Sequence, residues 1–219
     1  MKSIILIAPP AAGKGTEAQK LKEQYSIPHI STGNLLRTAA RGKSELASRI
    51  KSLIDNGKFV DDEIVLKLIE ERIANDDCIN GYILDGFPRN VSQAQKYDDI
   101  LKKQNKKISY VFVINMDKEI AKSRVSGRRL CNVCGKIYNI NFPPLTPKQD
   151  GICDQCGSKL TKREDDNAIT YEERYNYYLK ETAPLIEYYE KKGILFNIDG
   201  NIDKNYTHSQ IEKVLRDND

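Results

Sequence analysis

The chain of 219 residues is long enough for one sizeable core with small insertions and short for two full-sized domains. Its 35 Lys and Arg against 31 Asp and Glu leave a net charge of +4, too balanced to indicate a nucleic-acid partner, so any basic site is local. No apolar run approaches bilayer-spanning length, and Ile4–Ala8 is too short for the apolar part of a secretion signal, so the expectation is a soluble, cytoplasmic protein without a membrane partner.

Ser3-Ile4-Ile5-Leu6-Ile7 reads as a buried strand that runs into Ala8-Pro9-Pro10-Ala11-Ala12-Gly13-Lys14-Gly15-Thr16 and then into a helical segment over 15–25. Strand, small-residue loop and helix in that order form a phosphate-binding loop. The N–H groups of the loop and of the helix start converge with partial positive charge, and Lys14 adds a full one, so a polyphosphate is the natural guest. The match to G-x-x-x-x-G-K-[ST] is imperfect: Ala8 stands at the first glycine, and Ala11 stands where a further glycine is often found. Alanine suits only negative φ, so both are expected there.

Further strand-like runs fall at 29–31, 82–84, 110–115 and 194–198, alternating with helical periodicity over 33–41, 45–56, 61–74, 91–104, 118–128, 171–192 and 209–216. Such alternation predicts an α/β fold with a parallel sheet covered on both faces. In 61–74 the set Ile64, Val65, Leu68, Ile69 and Ile73 makes one buried stripe behind an acidic start, which reads as scaffold. The lysine-rich 102–107 reads as a solvated turn, and the tyrosines of 171–189 as packing on the sheet rather than as base-stacking.

A second phosphate-handling signal is Gly81-Tyr82-Ile83-Leu84-Asp85-Gly86-Phe87-Pro88-Arg89. An aspartate at the carboxyl end of a buried parallel strand, beside the first loop, can hold magnesium through its waters. Gly86 lets the chain turn close to a ligand, and Arg89 offers a phosphate two parallel N–H donors.

Between 130 and 160 the periodicity lapses into prolines, glycines and two pairs, Cys131-x-x-Cys134 and Cys153-x-x-Cys156, with 18 residues between them. This is metal-site spacing: four thiolates suit tetrahedral zinc, and Gly135 and Gly157 after each pair suit a tight turn. A disulfide framework would need an oxidising compartment that nothing else supports, and an iron centre is the lesser metal alternative. Cys78 reads as a small buried hydrophobe, and His29 and His208 read as incidental.

The chain resembles the adenylate kinases from Ser3 to at least Asp199. The resemblance is carried by Gly13-Lys14-Gly15-Thr16, Ile30-Ser31-Thr32-Gly33-Asn34-Leu35-Leu36-Arg37, Leu84-Asp85-Gly86-Phe87-Pro88-Arg89 with Gln93, Gly127-Arg128-Arg129, Arg163-Glu164-Asp165-Asp166, and Arg174. It implies transfer from Mg·ATP to AMP giving two ADP, on the nucleoside monophosphate kinase fold of five parallel strands flanked by helices. The core would comprise 1–30, 61–126 and 165–219, with an AMP-binding insertion at 31–60 and a lid at 127–164. The four cysteines make the lid resemble that of the zinc-bearing members, in which zinc is structural. A monomer is the expectation.

Residue by residue, the resemblance implies ATP contacts at Ala11, Ala12, Gly13, Lys14, Gly15, Thr16, Arg128, Ile137 and Tyr138. Thr32 and Gln93 would meet the adenine of AMP, Arg37 and Arg89 would clamp its phosphate, and Lys58, Phe59 and Val60 would close over it beside Gly86, Phe87 and Pro88. Arg124, Arg128, Arg163 and Arg174 would surround the transferred phosphoryl group, the last and Arg163 reaching the AMP side too, while Thr16 and Asp85 position Mg2+. Asn34 departs from the family, where an acidic residue is common. No general base is required, because an AMP phosphate oxygen is already anionic. The alternatives are another monophosphate kinase with a UMP, CMP or GMP acceptor, or a zinc-ribbon nucleic-acid binder presenting Lys136, Lys159 and Lys162. The second leaves Asp85 to Arg89 unexplained.

Overall fold

The computed structural model describes residues 2–55, 60–143, 145–162 and 166–218. In it the five expected strands join one parallel sheet: β1 (Lys2–Ile7), β2 (His29–Ser31), β3 (Gly81–Asp85), β4 (Tyr110–Asn115) and the last strand, β8 (Leu195–Asp199), in the order β2-β3-β1-β4-β8. Side chains alternate across the sheet, so each apolar run feeds two cores. Ile5, Ile7, Leu84, Val111 and Val113 pack on one face with Ile69, Tyr97 and Leu185. Ile4, Leu6, Ile83, Phe112 and Ile114 pack on the other with Leu21, Ala121 and Ile211. Ser31 and Leu6 both register with Asp85, which brings the carboxyl ends of β1, β2 and β3 to one place. Because β3 and β4 flank β1 on opposite sides, the loop after β1 lies at the switch point where open α/β sheets bind ligands.

The helices are α1 (Lys14–Tyr25), α2 (Thr32–Ala39), α3 (Glu45–Asp55), α4 (Asp62–Ile73), α5 (Val91–Lys103), α6 (Lys118–Gly127), α7 (Ala168–Tyr177), α8 (Pro184–Glu190) and α9 (Lys204–Asp217). The single helix expected over 171–192 is instead two, joined by a π-helical turn at Tyr178–Thr182 with Ala183 N–H donating to Tyr178 O at 2.8 Å. Pro184 explains the break: it has no N–H to continue the ladder, and its ring crowds the carbonyl four residues back. Tyr171 and Tyr189 are buried on the two faces of the sheet. The last helix starts five residues before the predicted Ser209, because Asp203 caps it by accepting from the N–H groups of Asn205 and Tyr206.

A second sheet of three antiparallel strands, in the order β6-β5-β7, comprises β5 (Arg128–Cys131), β6 (Ile137–Asn139) and β7 (Leu160–Thr161). Sequence periodicity carried the helix through Arg128, but Arg128 is already extended and α6 stops at Gly127. A Cβ at Gly127 would stand 2.2 Å from Asn139 Oδ1 and 2.8 Å from Asn141 Nδ2, so any larger residue would displace the two asparagine side chains that pack on the end of α6. The buried cluster of this unit comprises Cys131, Tyr138, Cys153 and Leu160, too little apolar volume to hold a subdomain without a cross-link. Among the described residues no helix is long and apolar enough to cross a membrane.

Candidate active site

The loop between β1 and α1 turns through Gly13 at φ +91°, whose carbonyl accepts from Thr16 and Glu17 N–H and starts the helix. Ala11 corrects the sequence expectation: it lies at φ +63°, in the left-handed region. The Cβ there crowds the following carbonyl at a cost of roughly 1–2 kcal/mol, so the loop holds an alanine in a glycine conformation. Ala11→Gly is expected to raise the thermal midpoint by about 2 °C once the greater freedom of the unfolded glycine is offset. A lowered midpoint in thermal unfolding would refute that account.

Lys14 leads α1 and donates from Nζ to Ala8 O at 3.1 Å. Burial lowers its pKa, the Asp85 carboxylate partly offsets this, and Arg89 and Arg128 add to the lowering. These three side chains therefore share one electrostatic environment with Lys14. Asp85, at the end of β3, lies beside the loop: a Cβ on Gly15 would stand 3.7 Å from its Oδ2. Burial pushes the Asp85 carboxyl up, but the His29 hydrogen bond and the charges of Lys14 and Arg89 hold it below the ordinary value.

His29 thus has a role that its sequence neighbours do not announce. Its Nε2 lies 3.3 Å from Asp85 Oδ2, across the diagonal between β2 and β3. His208 likewise pairs its Nδ1 with the buried Glu17, joining α9 to α1.

The segment after β3 forms the opposite wall. Gly86 turns at φ +83°, and the Phe87–Pro88 peptide is cis. Arg89 Nε donates to Gly86 O at 2.9 Å, and Arg89 N–H donates to Gln93 Oε1 at 2.7 Å. Gln93, capped by Asn90, donates from Nε2 to Asp62 Oδ1 and so ties this wall to α4. Thr182, in the π-helical turn, donates to Arg89 O at 2.9 Å. Arg89 is lowered by burial, with Tyr177 and Asp85 opposing and the Arg174 charge reinforcing, so Arg174 shares its neighbourhood. Thr32 is buried and donates to Asp85 O at 3.3 Å. Arg37 folds back along α2 to Asn34 Oδ1 at 2.5 Å, while Val60 is buried.

Arg128 forms a bidentate pair with Asp166, which is fully buried, through Nε to Oδ2 at 2.8 Å and Nη2 to Oδ1. Arg124 sits on α6 against Met116 Sδ and the ring of Phe142. Ile137 and Tyr138 lie on β6, with Tyr138 turned into the buried cysteine unit. Lys58, Phe59 and Arg163 lie outside the described residues. Sequence reasoning passed over His29, Asp62 and Thr182, and quoted Asp166 without a role. Each acts through a partner at least 28 residues away, and spacing along the chain carries no signal of that kind.

The four cysteines converge. Their sulfurs all lie within 4.8 Å of one another, with Cys131 to Cys156 at 3.4 Å and Cys134 to Cys153 at 3.6 Å. A tetrahedral zinc with bonds of ~2.3 Å sets its sulfurs about 3.8 Å apart, whereas a disulfide needs about 2.05 Å. The donor set therefore fits zinc, and neither cysteine pair is a disulfide. Gly135 and Gly157 take positive φ and donate N–H to Cys131 O and Cys153 O, the tight turns expected of such knuckles. Burial would raise the Cys153 thiol, but the Tyr138 hydroxyl and the N–H groups of Cys156 and Gln155 bring it down to about 6.

Residues 6–194 match the family model described as Adenylate kinase. An adenylate kinase of Clostridium tetani is 44% identical over 213 residues, covering 97% of this chain and 98% of the relative. Adenylate kinases of Archaeoglobus fulgidus and Bacillus licheniformis are 44% and 42% identical, each over 97% of both chains.

Proposed function

Because the chain belongs to the adenylate kinase family and catalyses ATP + AMP ⇌ 2 ADP, we propose that this reaction runs in the cleft between the loop after β1, the Asp85–Arg89 wall and the β5 arginines. The observation that carries the assignment is geometric: Lys14 starts α1 after the loop, Asp85 ends β3 with its carboxylate beside Gly15, and Arg89 follows it with Nε on Gly86 O, so a cation, a carboxylate and an arginine meet at the carboxyl ends of β1 and β3.

In this reading Lys14 and the N–H groups of Ala11 to Thr16 hold the β- and γ-phosphates of ATP, with Arg128 and Ile137 on its far side, while Tyr138, expected beside them, is turned into the cysteine unit. Arg37 and Arg89 grip the AMP phosphate, and Thr32, Val60, Gly86, Phe87, Pro88 and Gln93 frame the nucleoside. Lys58 and Phe59 belong to the same group by the family pattern. The AMP phosphate oxygen attacks in line and needs no base, so the side chains align the nucleotides and stabilise charge. Arg124, Arg128 and Arg174 face the charge that develops on the migrating group, and Arg163 belongs with them by the family pattern; arginine suits the task because its planar fork matches phosphate and stays protonated. Thr16 and Asp85 would hold Mg2+, which when bound neutralises phosphate charge. His29 keeps Asp85 ionised and aimed.

Residues 127–164 act as a lid that excludes water, the competing nucleophile, and 31–60 as the AMP-side insertion, both set on a core of 1–30, 61–126 and 165–219. The four cysteines would hold zinc with no position left open, so its role is structural. Reduced thiolates suit a cytoplasmic enzyme, and a site built from one chain suits a monomer.

Steady-state kinetics test the division of the cleft. Arg37→Ala should raise KM for AMP about tenfold with little change for ATP, and Arg128→Lys should do the reverse, each losing charge-assisted contacts worth roughly 1.5–3 kcal/mol. If both variants raise KM for the same nucleotide, the division is wrong.

A further inference from the structure

Tyr138 is 3% exposed, yet its hydroxyl is fully engaged. It accepts from Asp154 N–H at 2.8 Å and lies 3.4 Å from Cys153 Sγ. A metal-bound thiolate has no proton to give, so between the phenol and a ligating Cys153 sulfur the hydrogen bond runs from the hydroxyl to the sulfur. The bond crosses between elements: Tyr138 stands on β6, and Cys153 and Asp154 open the second knuckle. β6 pairs with β5, which begins with Arg128 and ends with Cys131, and Tyr138 itself registers with Arg129. The first knuckle is attached to this strand pair through Cys131 and the second through β7, whose Leu160 registers with Cys131; the hydroxyl adds a direct tie from the second knuckle to β6.

Four thiolates around a divalent ion carry an excess of negative charge, and donors to the sulfurs spread it while fixing their direction. We propose that Tyr138 is an outer-shell partner of the cysteine-bound zinc and a positioning residue for the ATP side, its hydroxyl tying Cys153 to the strand pair that presents Arg128. The inference rests on the cysteines holding zinc, which metal analysis of the purified enzyme tests by itself.

The experiment compares wild-type holoenzyme with Tyr138→Phe, which keeps the ring and removes the hydroxyl. Zinc transfer to a chromogenic chelator should be about tenfold or more faster in the variant. KM for ATP should rise, and added zinc at saturation should restore it, since the residue acts through the metal. Equal rates of zinc loss would overturn the proposal, and so would a raised KM that saturating zinc leaves unchanged, which would mark a direct ATP contact.

Should the variant fail to fold, wild-type enzyme reconstituted with an NMR-active cadmium isotope gives the same answer. The Tyr138 hydroxyl proton should show scalar coupling to the metal through the sulfur, and its absence would overturn the bond. A wild type that binds no divalent metal refutes the zinc reading and this inference with it. Faster zinc loss from the variant alongside unsplit KM values in the arginine tests leaves the outer-shell role standing and refutes the cleft assignment together with the ATP-side positioning role, which rests on it.

Discussion

Lys14→Met is expected to lower kcat for ADP formation from ATP and AMP by about a thousandfold or more, equivalent to about 4 kcal/mol of lost transition-state stabilisation. Methionine keeps much of the lysine stem and its packing while deleting the ammonium group. That group starts α1, sits beside the loop N–H groups, and shares its surroundings with Asp85, Arg89 and Arg128. Without it two nucleotides would bring dense negative charge to a cleft stripped of its central cation, and the arginines cannot replace it, because they approach from other elements. Its present partner, Ala8 O, is a loop carbonyl that a phosphate oxygen can displace. The loss should fall on kcat more than on KM, since the charge matters most as the phosphoryl group migrates. A variant within tenfold of wild type would remove Lys14 from the chemistry.

Cys153→Ser is expected to lower the thermal midpoint by roughly 10 °C, on the basis that a midpoint moves about 2–4 °C per kcal/mol in a chain of this size and that ligand loss releases several kcal/mol of metal-coupled folding energy. Among the described residues, the unit that bears the cysteines has only Cys131, Tyr138, Cys153 and Leu160 in its buried cluster, so little apolar packing takes over when a thiolate is lost. Cys153 is the most demanding position, because the Tyr138 hydroxyl and two N–H groups are arranged around its sulfur. Activity should survive in a cool, folded sample, since four protein ligands leave no place for substrate on the metal. Strong chelation of wild type should reproduce the shift. A folded but wholly inactive variant would show that the zinc does more than hold the lid together.

The contrast between the two signals explains what was legible. The phosphate loop and the cysteine pairs are written in contiguous residues, where a turn, a helix start or a knuckle is decided within a few positions. The central strands β1, β3 and β4 were equally clear, because strands buried on both faces are apolar nearly throughout, whereas the edge strands β2 and β8 carry polar residues such as His29, Ser31 and Asn197. The breaks were less so. The turn at Tyr178–Thr182 follows from Pro184, a residue present in the sequence, yet proline inside a helical pattern can kink, widen or end a helix, and packing selects among these. Ala11 shows the converse, a side chain read as excluding positive φ that the loop nevertheless holds there.

The chain's linear order thus determined which chemistry is present: a β-strand and loop for polyphosphate, an aspartate and arginine after a buried strand, four thiolates for a metal, and a parallel sheet to carry them. Only the tertiary structure decided which groups act together. His29 on Asp85, Asp166 on Arg128, Asp62 on Gln93 and Tyr138 on Cys153 are contacts between side chains 15 to 56 positions apart. The physical reason is range: backbone conformation is set by near neighbours, whereas charge pairing and burial depend on distances in space, which exist only once the sheet has set its strand order and register.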